Sequence, residues 1–317
     1  MSKVSVIIPV YGVEKYIERC ARSLFEQTLD DIEYLFIDDC TPDNSIGILT
    51  NVLEEYPNRK SQVIIHKMEK NSGQAAVREW GLRNATGEFI IHCDSDDWVD
   101  TDMYRKMYDK AIQDNADCVI CDYAVSDGIK ILNKVKGCHT TSKELLIQNF
   151  ICLKDAVSLC NKLIKRNIIE KEIIPTKYNV GEDYLQSINF LLNSSNISYV
   201  PQSFYNYFIN INSITNEANK DKRIKNLYHN KANLDILISI FERKDLYRKY
   251  EDCFVAAKWH IKEKIEFSLS HKKEYLEWHN IYPEIHRKIL FNPFLSFKKK
   301  IKFILIYFRL FHIFHKR

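Results

Sequence analysis

Apolar runs alternate with amphipathic stretches through the first 125 residues. Val4 to Val10 is nearly continuous in Val and Ile and ends at Pro9-Val10-Tyr11-Gly12. That pattern predicts a strand covered on both faces. From Val13 to Thr28, Tyr16 or Ile17, Ala21, Leu24 and Phe25 recur at helical spacing, with Glu14, Lys15, Glu18 and Arg22 between them. Glu33 to Ile37 reads as a second strand that runs into Asp38-Asp39. A helix then starts at Asp43 to Ser45, carries Ile46, Leu49, Val52 and Leu53, and stops before Pro57. Gln62 to His66 is a third strand, followed by Asn71-Ser72-Gly73-Gln74 and a helix from Ala75 to about Asn84. Gly87 to Cys93 is a fourth strand after the Thr86-Gly87 turn. Asp102 to Asp114 is a helix with Met103, Met107 and Ile112 as candidate core residues, and Asp117 to Val125 is another strand. Strand and helix alternate with short connections, which predicts an α/β fold built on a doubly wound, mainly parallel sheet.

Past Ser126 the alternation weakens. Lys143 to Leu153 and Cys160 to Glu170 read as helices, and Val180-Gly181-Glu182-Asp183-Tyr184 opens another that runs to about Leu192. Ile197 to Pro201 and Phe204 to Phe208 read as strands, and Asn212-Ser213-Ile214-Thr215 as a polar loop. From Lys220 onward the chain reads as a helical extension, with Leu227, Leu234, Leu237, Ile238 and Phe241 on one face. These shifts divide the sequence into a core at 1–125, a second part at 126–219 and the extension at 220–317.

The last segment changes the charge picture. Lys298 to Lys302 is a basic run, apolar residues from Phe303 follow it, and no acid occurs after Glu284. The stretch is too short and interrupted to span a bilayer. It suits either the surface of an anionic membrane or a terminal helix packed on the protein.

Composition narrows the class. The chain has 317 residues, 45% hydrophobic, with a formal net charge of +4. That is an ordinary globular balance and does not point to nucleic acid as a partner. The nine cysteines are odd in number and several lie in apolar segments, so reduced thiols and a cytoplasmic location are expected. Cys118 and Cys121 have CxxC spacing, but Val119 and Ile120 between them read as strand, and no second ligand pair accompanies them. The N-terminal apolar run is too short for a signal peptide.

Two predicted strand ends carry acids, Asp38-Asp39 and Asp94-Ser95-Asp96-Asp97. Like charges this close repel and cannot be buried unpaired. They form either solvated turns or a cation site, and a hard divalent ion shares carboxylates with substrate phosphates in such places. Ligands of open α/β sheets bind outside the carboxyl ends of the strands. The pair of clusters therefore suits a nucleoside diphosphate: one acid for a base or ribose, the other for a metal. A capped turn stays open for Asp38-Asp39. Asn71-Ser72-Gly73, followed by Ala75, Ala76 and Arg78, is a small-residue turn that offers helix N–H groups to an anion, or is an ordinary helix start. Glu182-Asp183 is either a base aimed at a cleft or an acid pair on a helix dipole.

The order and spacing of Ser5-Val-Ile-Ile-Pro-Val-Tyr11, Ser23-Leu-Phe-Glu-Gln-Thr28, Ile37-Asp-Asp39, Asn71-Ser-Gly73 with Arg78, Ala85-Thr-Gly-Glu88 and Asp94-Ser-Asp-Asp97 resemble those of family-two glycosyltransferases. The resemblance covers about residues 1–125 without a gap and continues weakly to about Thr215. It implies a GT-A, Rossmann-like fold and transfer of a sugar from a nucleotide donor, a UDP-sugar being expected, to a glycan or lipid-linked acceptor. By the same resemblance, Pro9, Tyr11 and Glu14 line the nucleotide pocket, Asp39 contacts the base, and Asn71, Gly73 and Arg78 lie by base, ribose or phosphates. Asp94, Ser95 and Asp96 form the Asp-x-Asp motif, with Asp96 the principal ligand of Mn²⁺ or Mg²⁺ and Asp94 supporting it. Asn161-Lys162-Leu163 and Gly181-Glu182-Asp183 match acceptor-side motifs, which makes Lys162 and Glu182 acceptor-side residues and Asp183 the general base. Ser213-Ile-Thr215 matches the family's late loop, although Asn210 and Asn212 stand where Arg is common. The reaction implied is metal-dependent and inverting, in a protein placed in the cytoplasm or on the inner membrane face. Two rival readings are a sugar nucleotidyltransferase, which would want a Gly-rich loop where Pro9-Val-Tyr-Gly12 stands, and a nucleotide- or glycan-binding protein without turnover.

Overall fold

The structure, a computed structural model, describes residues 2–209, 219–265, 272–308 and 310, with the side chains of 220 and 272–274 left aside. It forms two compact units, Met1–Phe150 with Asp155–Glu217, and Ile151–Lys154 with Ala218–Arg317.

The first unit is built on one sheet. Its elements are β1 (Val4–Val10), α1 (Ile17–Phe25), β2 (Ile32–Asp38), α2 (Ser45–Glu54), β3 (Val63–Lys67), α3 (Gln74–Asn84), β4 (Phe89–His92), β5 (Trp98–Val99), α4 (Met103–Gln113), β6 (Cys118–Ser126) and β7 (Ile131–Val135). These are followed by α5 (Lys143–Ile151), β8 (Lys162–Lys165), α6 (Arg166–Glu170), α7 (Glu182–Asn193) and β9 (Ile197–Phe208). The strand order is β3-β2-β1-β4-β8-β6-β9-β5, with β7 paired to β6. β3, β2, β1 and β4 are parallel, as their buried apolar runs require. β8 pairs antiparallel with both β4 and β6, so the sheet is mixed.

One face is packed by α1 and its neighbours. Ile17, Cys20, Ala21, Leu24 and Phe25 are buried at helical spacing against Val4, Val6, Ile8 and Val10. α3 lies across β1 and β2 on the other face, close enough that a Cβ on Gly81 would come within 2.5 Å of Ile7 Cγ2 and 3.1 Å of Ile37 Cδ1. Register aligns the strand ends: Val10 pairs Asp38, Ile7 pairs His92, and the next N–H groups, of Asp39 and Cys93, donate to the carbonyls of Val10 and Ile7. The acids after β2 and β4 therefore share one edge.

Several local expectations are corrected. Cys160 to Glu170 is not one helix: Lys162–Lys165 is a strand and only Arg166–Glu170 is helical. Leu163 and Ile164 find β4 and β6 on either side, and these nonlocal ladders override a short apolar pattern that suits either state. Ile197 to Phe208 is one strand with two register shifts rather than two strands. Ile112 is 51% exposed and stands outside the core that holds Met103 and Met107. β5 and β7 were not expected. The late loop 213–215, with Asn210 and Asn212, lies outside the described residues.

The second unit contains α8 (Lys220–Arg243), α9 (Glu251–Glu263), α10 (Lys272–Asn280) and α11 (Phe297–Tyr307), with a short 3₁₀ turn at Arg248–Tyr250 before α9 and two more, Pro283–Ile285 and Ile289–Phe291, between α10 and α11. Leu234, Leu237 and Phe241 are buried as expected of this face, whereas Leu227 and Ile238 are only half-buried. Its core is aromatic, with Phe241 edge-on to Tyr250 and Phe254 and with Trp259 edge-on to Phe303. Among the described residues, Cys20, Cys40, Cys93, Cys118, Cys121, Cys138, Cys152, Cys160 and Cys253 are all free thiols. Burial pushes Cys118 up to about 12, which suits an inert core thiol.

Candidate active site

Four chain segments meet at the carboxyl edge of the sheet. The first follows β2. Asp39 is buried, and its two carboxylate oxygens accept the backbone N–H groups of Ser72 at 2.7 Å and Gly73 at 2.8 Å. This fixes the turn before α3. Gly73 has φ 83°, and a Cβ there would meet Asn179 Nδ2 at 2.1 Å, so the position needs glycine twice over. Asn179 caps the helix by accepting the Ala75 N–H at 3.0 Å. Asn71 beside this turn is exposed.

The second segment is α3, which carries Arg78 one turn in. Its guanidinium is buried, 2.7 Å from Asp94 Oδ1 and 2.5 Å from Glu182 Oε1. These two carboxylates raise it above the usual arginine value despite its burial. Its Nε–H is buried without a protein partner.

The third segment is the turn after β4. Asp94 Oδ1 also accepts Gln74 Nε2 at 3.3 Å, while the Ser95 hydroxyl donates to the Pro9 carbonyl at 2.6 Å and ties the turn to β1. The three acids of this turn have different surroundings. Asp97 is fully buried and faces inward, accepting the Phe208 N–H at 2.7 Å and the Tyr205 hydroxyl at 2.6 Å. Burial, then Asp96 and Asp94, push its carboxyl well above the usual range. Asp94 and Asp96 remain half-buried. Arg19 donates to the Asp96 carbonyl at 2.8 Å while its guanidinium stacks 3.8 Å over Trp98, which holds the turn's shape. Asp94 and Asp96 are hard oxygen donors at a strand end, and two carboxylates are what a Mg²⁺- or Mn²⁺-type ion shares with phosphates. The residues thus fit such an ion. Among the described residues no group of three His, Cys, Asp or Glu forms an all-protein metal cage.

The fourth segment is the start of α7. Gly181, in the left-handed region at φ 83°, precedes Glu182 and Asp183 in the first turn. Burial lifts Glu182 to about 8, against the pull of Arg78 and with the push of Asp183. Burial also raises Asp183, opposed by Arg78 and Lys162 and assisted by Asp94. Asp183 Oδ1 accepts the Tyr184 N–H at 2.8 Å. Arg78 thus joins the acids of the strand end to those of the helix start.

Of the remaining expected residues, Pro9 is tied to the turn after β4 through its carbonyl and Ser95. Tyr11 is half exposed after β1, and the Glu14 N–H donates to Asp43 while its carboxylate accepts the Asn44 N–H at 3.2 Å, with no contact joining either residue to the Arg78 cluster among those described. Lys162 is buried and spends its ammonium on the carbonyls of Ala156 and Ser158 and on Asn161 Oδ1, at 2.5 to 2.9 Å. It holds the 156–161 loop, and burial lowers it to about 8. Gln74, Asn179, Arg19 and Tyr205 were not singled out from sequence. Tyr205 lies in the segment Phe204 to Phe208 that reads as strand, but its partner Asp97 is remote in the chain.

The family model for "Glycosyl transferase family 2" matches residues 5–171. The chain belongs to this family. Among relatives, EpsH of Bacillus subtilis is 32% identical over 226 residues, 68% of this chain and 64% of EpsH. The poly(ribitol-phosphate) beta-N-acetylglucosaminyltransferase TarP of Staphylococcus aureus is 30% identical over 259 residues, 79% of this chain and 76% of TarP. The chain thus spans just under two thirds of EpsH and about three quarters of TarP. The crystal structure of S. aureus TarS residues 1–349 in complex with UDP-GlcNAc superposes with a TM-score of 0.59 at 19% identity, covering 83% of this chain and 82% of that one. The family and this likeness establish the GT-A fold expected from the motifs.

Proposed function

We propose that the protein is an inverting, metal-dependent glycosyltransferase that moves a sugar from a nucleoside diphosphate, a UDP-sugar in the first instance, to a hydroxyl of a glycan or lipid-linked acceptor. The observation that carries this reading is the Arg78 bridge, which places Asp94 and Glu182 on one guanidinium at 2.7 and 2.5 Å. The family membership and the UDP-GlcNAc bound by TarS support the donor class.

Each residue then has a physical task. Asp39 holds the Ser72–Gly73 turn and offers its remaining lone pairs to the base or ribose. Asp96 and Asp94 would hold a divalent ion. When bound, that ion screens the charge of the departing diphosphate. Arg78 keeps Asp94 and Glu182 oriented and adds positive charge beside the same leaving group. Asp183 takes the proton of the acceptor hydroxyl as that oxygen attacks the anomeric carbon. Direct attack from the side opposite the diphosphate inverts the anomeric centre and needs no enzyme nucleophile. Glu182, ion-paired with Arg78, contacts the acceptor and holds Arg78 in place.

The test is acceptor-dependent turnover of Asp183→Asn and Glu182→Gln, after a screen of nucleotide sugars with Mn²⁺ and Mg²⁺ has named the donor. Asp183→Asn keeps the size but cannot accept the proton, so kcat falls by roughly 10²–10⁴-fold with donor affinity near normal. Glu182→Gln is milder. The reverse ranking would move the base to Glu182, and loss of donor binding in Asp183→Asn would place that residue on the donor side.

A further inference from the structure

We propose that the outward face of α11 is a docking surface for an anionic lipid bilayer. The helix carries two apolar stripes. The inner one is accounted for: Phe303 and Ile306 are buried, and Phe303 lies 5.7 Å from the Trp259 ring and 5.8 Å from His286. The outer one is not. Phe297, Ile301, Ile304 and the C-terminal cap Phe308 follow one another at intervals of three or four residues, so they line one side of the helix. They are 77%, 40%, 36% and 64% exposed. A continuous row of large apolar side chains held in water marks an interaction surface.

Charge identifies the occupant. At 100° per residue, Lys298 and Lys300 fall on opposite flanks of the outer stripe. Lys299 and Lys302 turn the other way, toward Glu263: Lys299 lies 3.5 Å from its carboxylate, and Lys302 donates to its carbonyl at 3.4 Å. An apolar stripe flanked by two ammonium groups is the arrangement of a helix lying in the headgroup layer, with its apolar side chains dipping into the acyl boundary. No acid follows Glu284 in the sequence to oppose anionic headgroups. A second copy of the same face is a poor occupant, because it would bring lysine flanks against lysine flanks. The eleven residues of α11 reach about 16 Å, and no helix among the described residues is long and apolar enough to cross a membrane, so the helix lies in the surface plane.

Flotation of the full chain with vesicles tests this. The protein floats with mixed phosphatidylcholine and phosphatidylglycerol, not with phosphatidylcholine alone, and added salt weakens the association. Phe297→Ser with Ile304→Ser abolishes flotation. Lys298→Gln with Lys300→Gln lowers the partition coefficient by roughly 30-fold, about fivefold for each basic residue neutralised. Thermal melting is unchanged in both, since neither variant alters a buried side chain. If the serine variant fails to fold, the glutamine variant decides. Absence of flotation on anionic vesicles overturns the proposal, as does undiminished flotation of the folded variants. Self-association that the same substitutions abolish, without vesicle binding, would assign the stripe to a second copy and equally overturn it.

Discussion

Arg78 in the first unit and Lys262 in the second are both buried cations, and they are solvated in opposite ways. Arg78 faces two carboxylates, and its charge is reinforced. Lys262 is fully buried, donates to the carbonyls of Trp278 and Ile281 at 2.5 Å each, and lies 4.2 Å from the centre of the Trp278 ring. Burial lowers it to about 7, with Glu284 opposing. Carbonyl dipoles and a ring face compensate an ammonium less than two carboxylates compensate a guanidinium. One arrangement keeps a fixed charge at the carboxyl edge of the sheet. The other fills a core and joins two backbone segments. Burial of a charged side chain by itself therefore does not mark a reaction centre; the partners do.

The comparison can be broken by substitution. Arg78→Met leaves Asp94 and Glu182 facing each other without a counter-charge, and should cost about 3–5 kcal/mol of stability in urea unfolding. Lys262→Met removes two hydrogen bonds but no counter-ion, and should cost about 1–3 kcal/mol at neutral pH. Equal losses would contradict the distinction drawn between the two sites.

Asp39→Ala comes next. It frees the Ser72 and Gly73 N–H groups and removes an acceptor from the proposed base pocket. Calorimetry should show UDP binding weaker by about 1–3 kcal/mol, the scale of a charge-assisted hydrogen bond. Unchanged binding would restrict Asp39 to holding the turn.

The pH dependence of Lys262 sharpens the contrast further. Its folded value of about 7 lies below the unfolded lysine value of about 10.4. Between these the unfolded chain holds a proton that the folded chain has released, so stability rises with pH, by up to about 1.4 kcal/mol per pH unit from this group. Lys262→Met should subtract that slope between about pH 7 and pH 10. A wild-type-like slope in the variant would mean that Lys262 keeps its proton in the fold.

Legibility in the sequence followed the reach of the interactions. β1, β2 and β4 are readable because each is a local apolar run halted by turn residues or acids, and the parallel sheet places those ends on one edge. Gly181 before Glu182-Asp183 marked the start of α7 for the same local reason. β8 was not readable, because its strand state is imposed by β4 and β6 from distant parts of the chain. Asp97 stood with Asp94 and Asp96 as one acidic cluster, yet Tyr205 and the Phe208 N–H draw it inward and leave the other two at the edge. Lys162 lay in a motif that reads as acceptor-side, but two of its three oxygen partners, the carbonyls of Ala156 and Ser158, sit in a loop with no sequence signature. Arg78 was expected beside the base, ribose or phosphates, while its bridge between two acids 88 positions apart in the chain was not legible.

In the proposed mechanism, the Arg78 bridge links a donor end that includes Asp96 to an acceptor end at Asp183. Calorimetric titration of UDP, with and without Mn²⁺, into wild type, Asp96→Asn and Asp183→Asn tests it directly. Metal-enhanced binding is expected in wild type and in Asp183→Asn, with its loss in a folded Asp96→Asn protein. Metal-enhanced binding that survives in Asp96→Asn, or that disappears in Asp183→Asn, would contradict it.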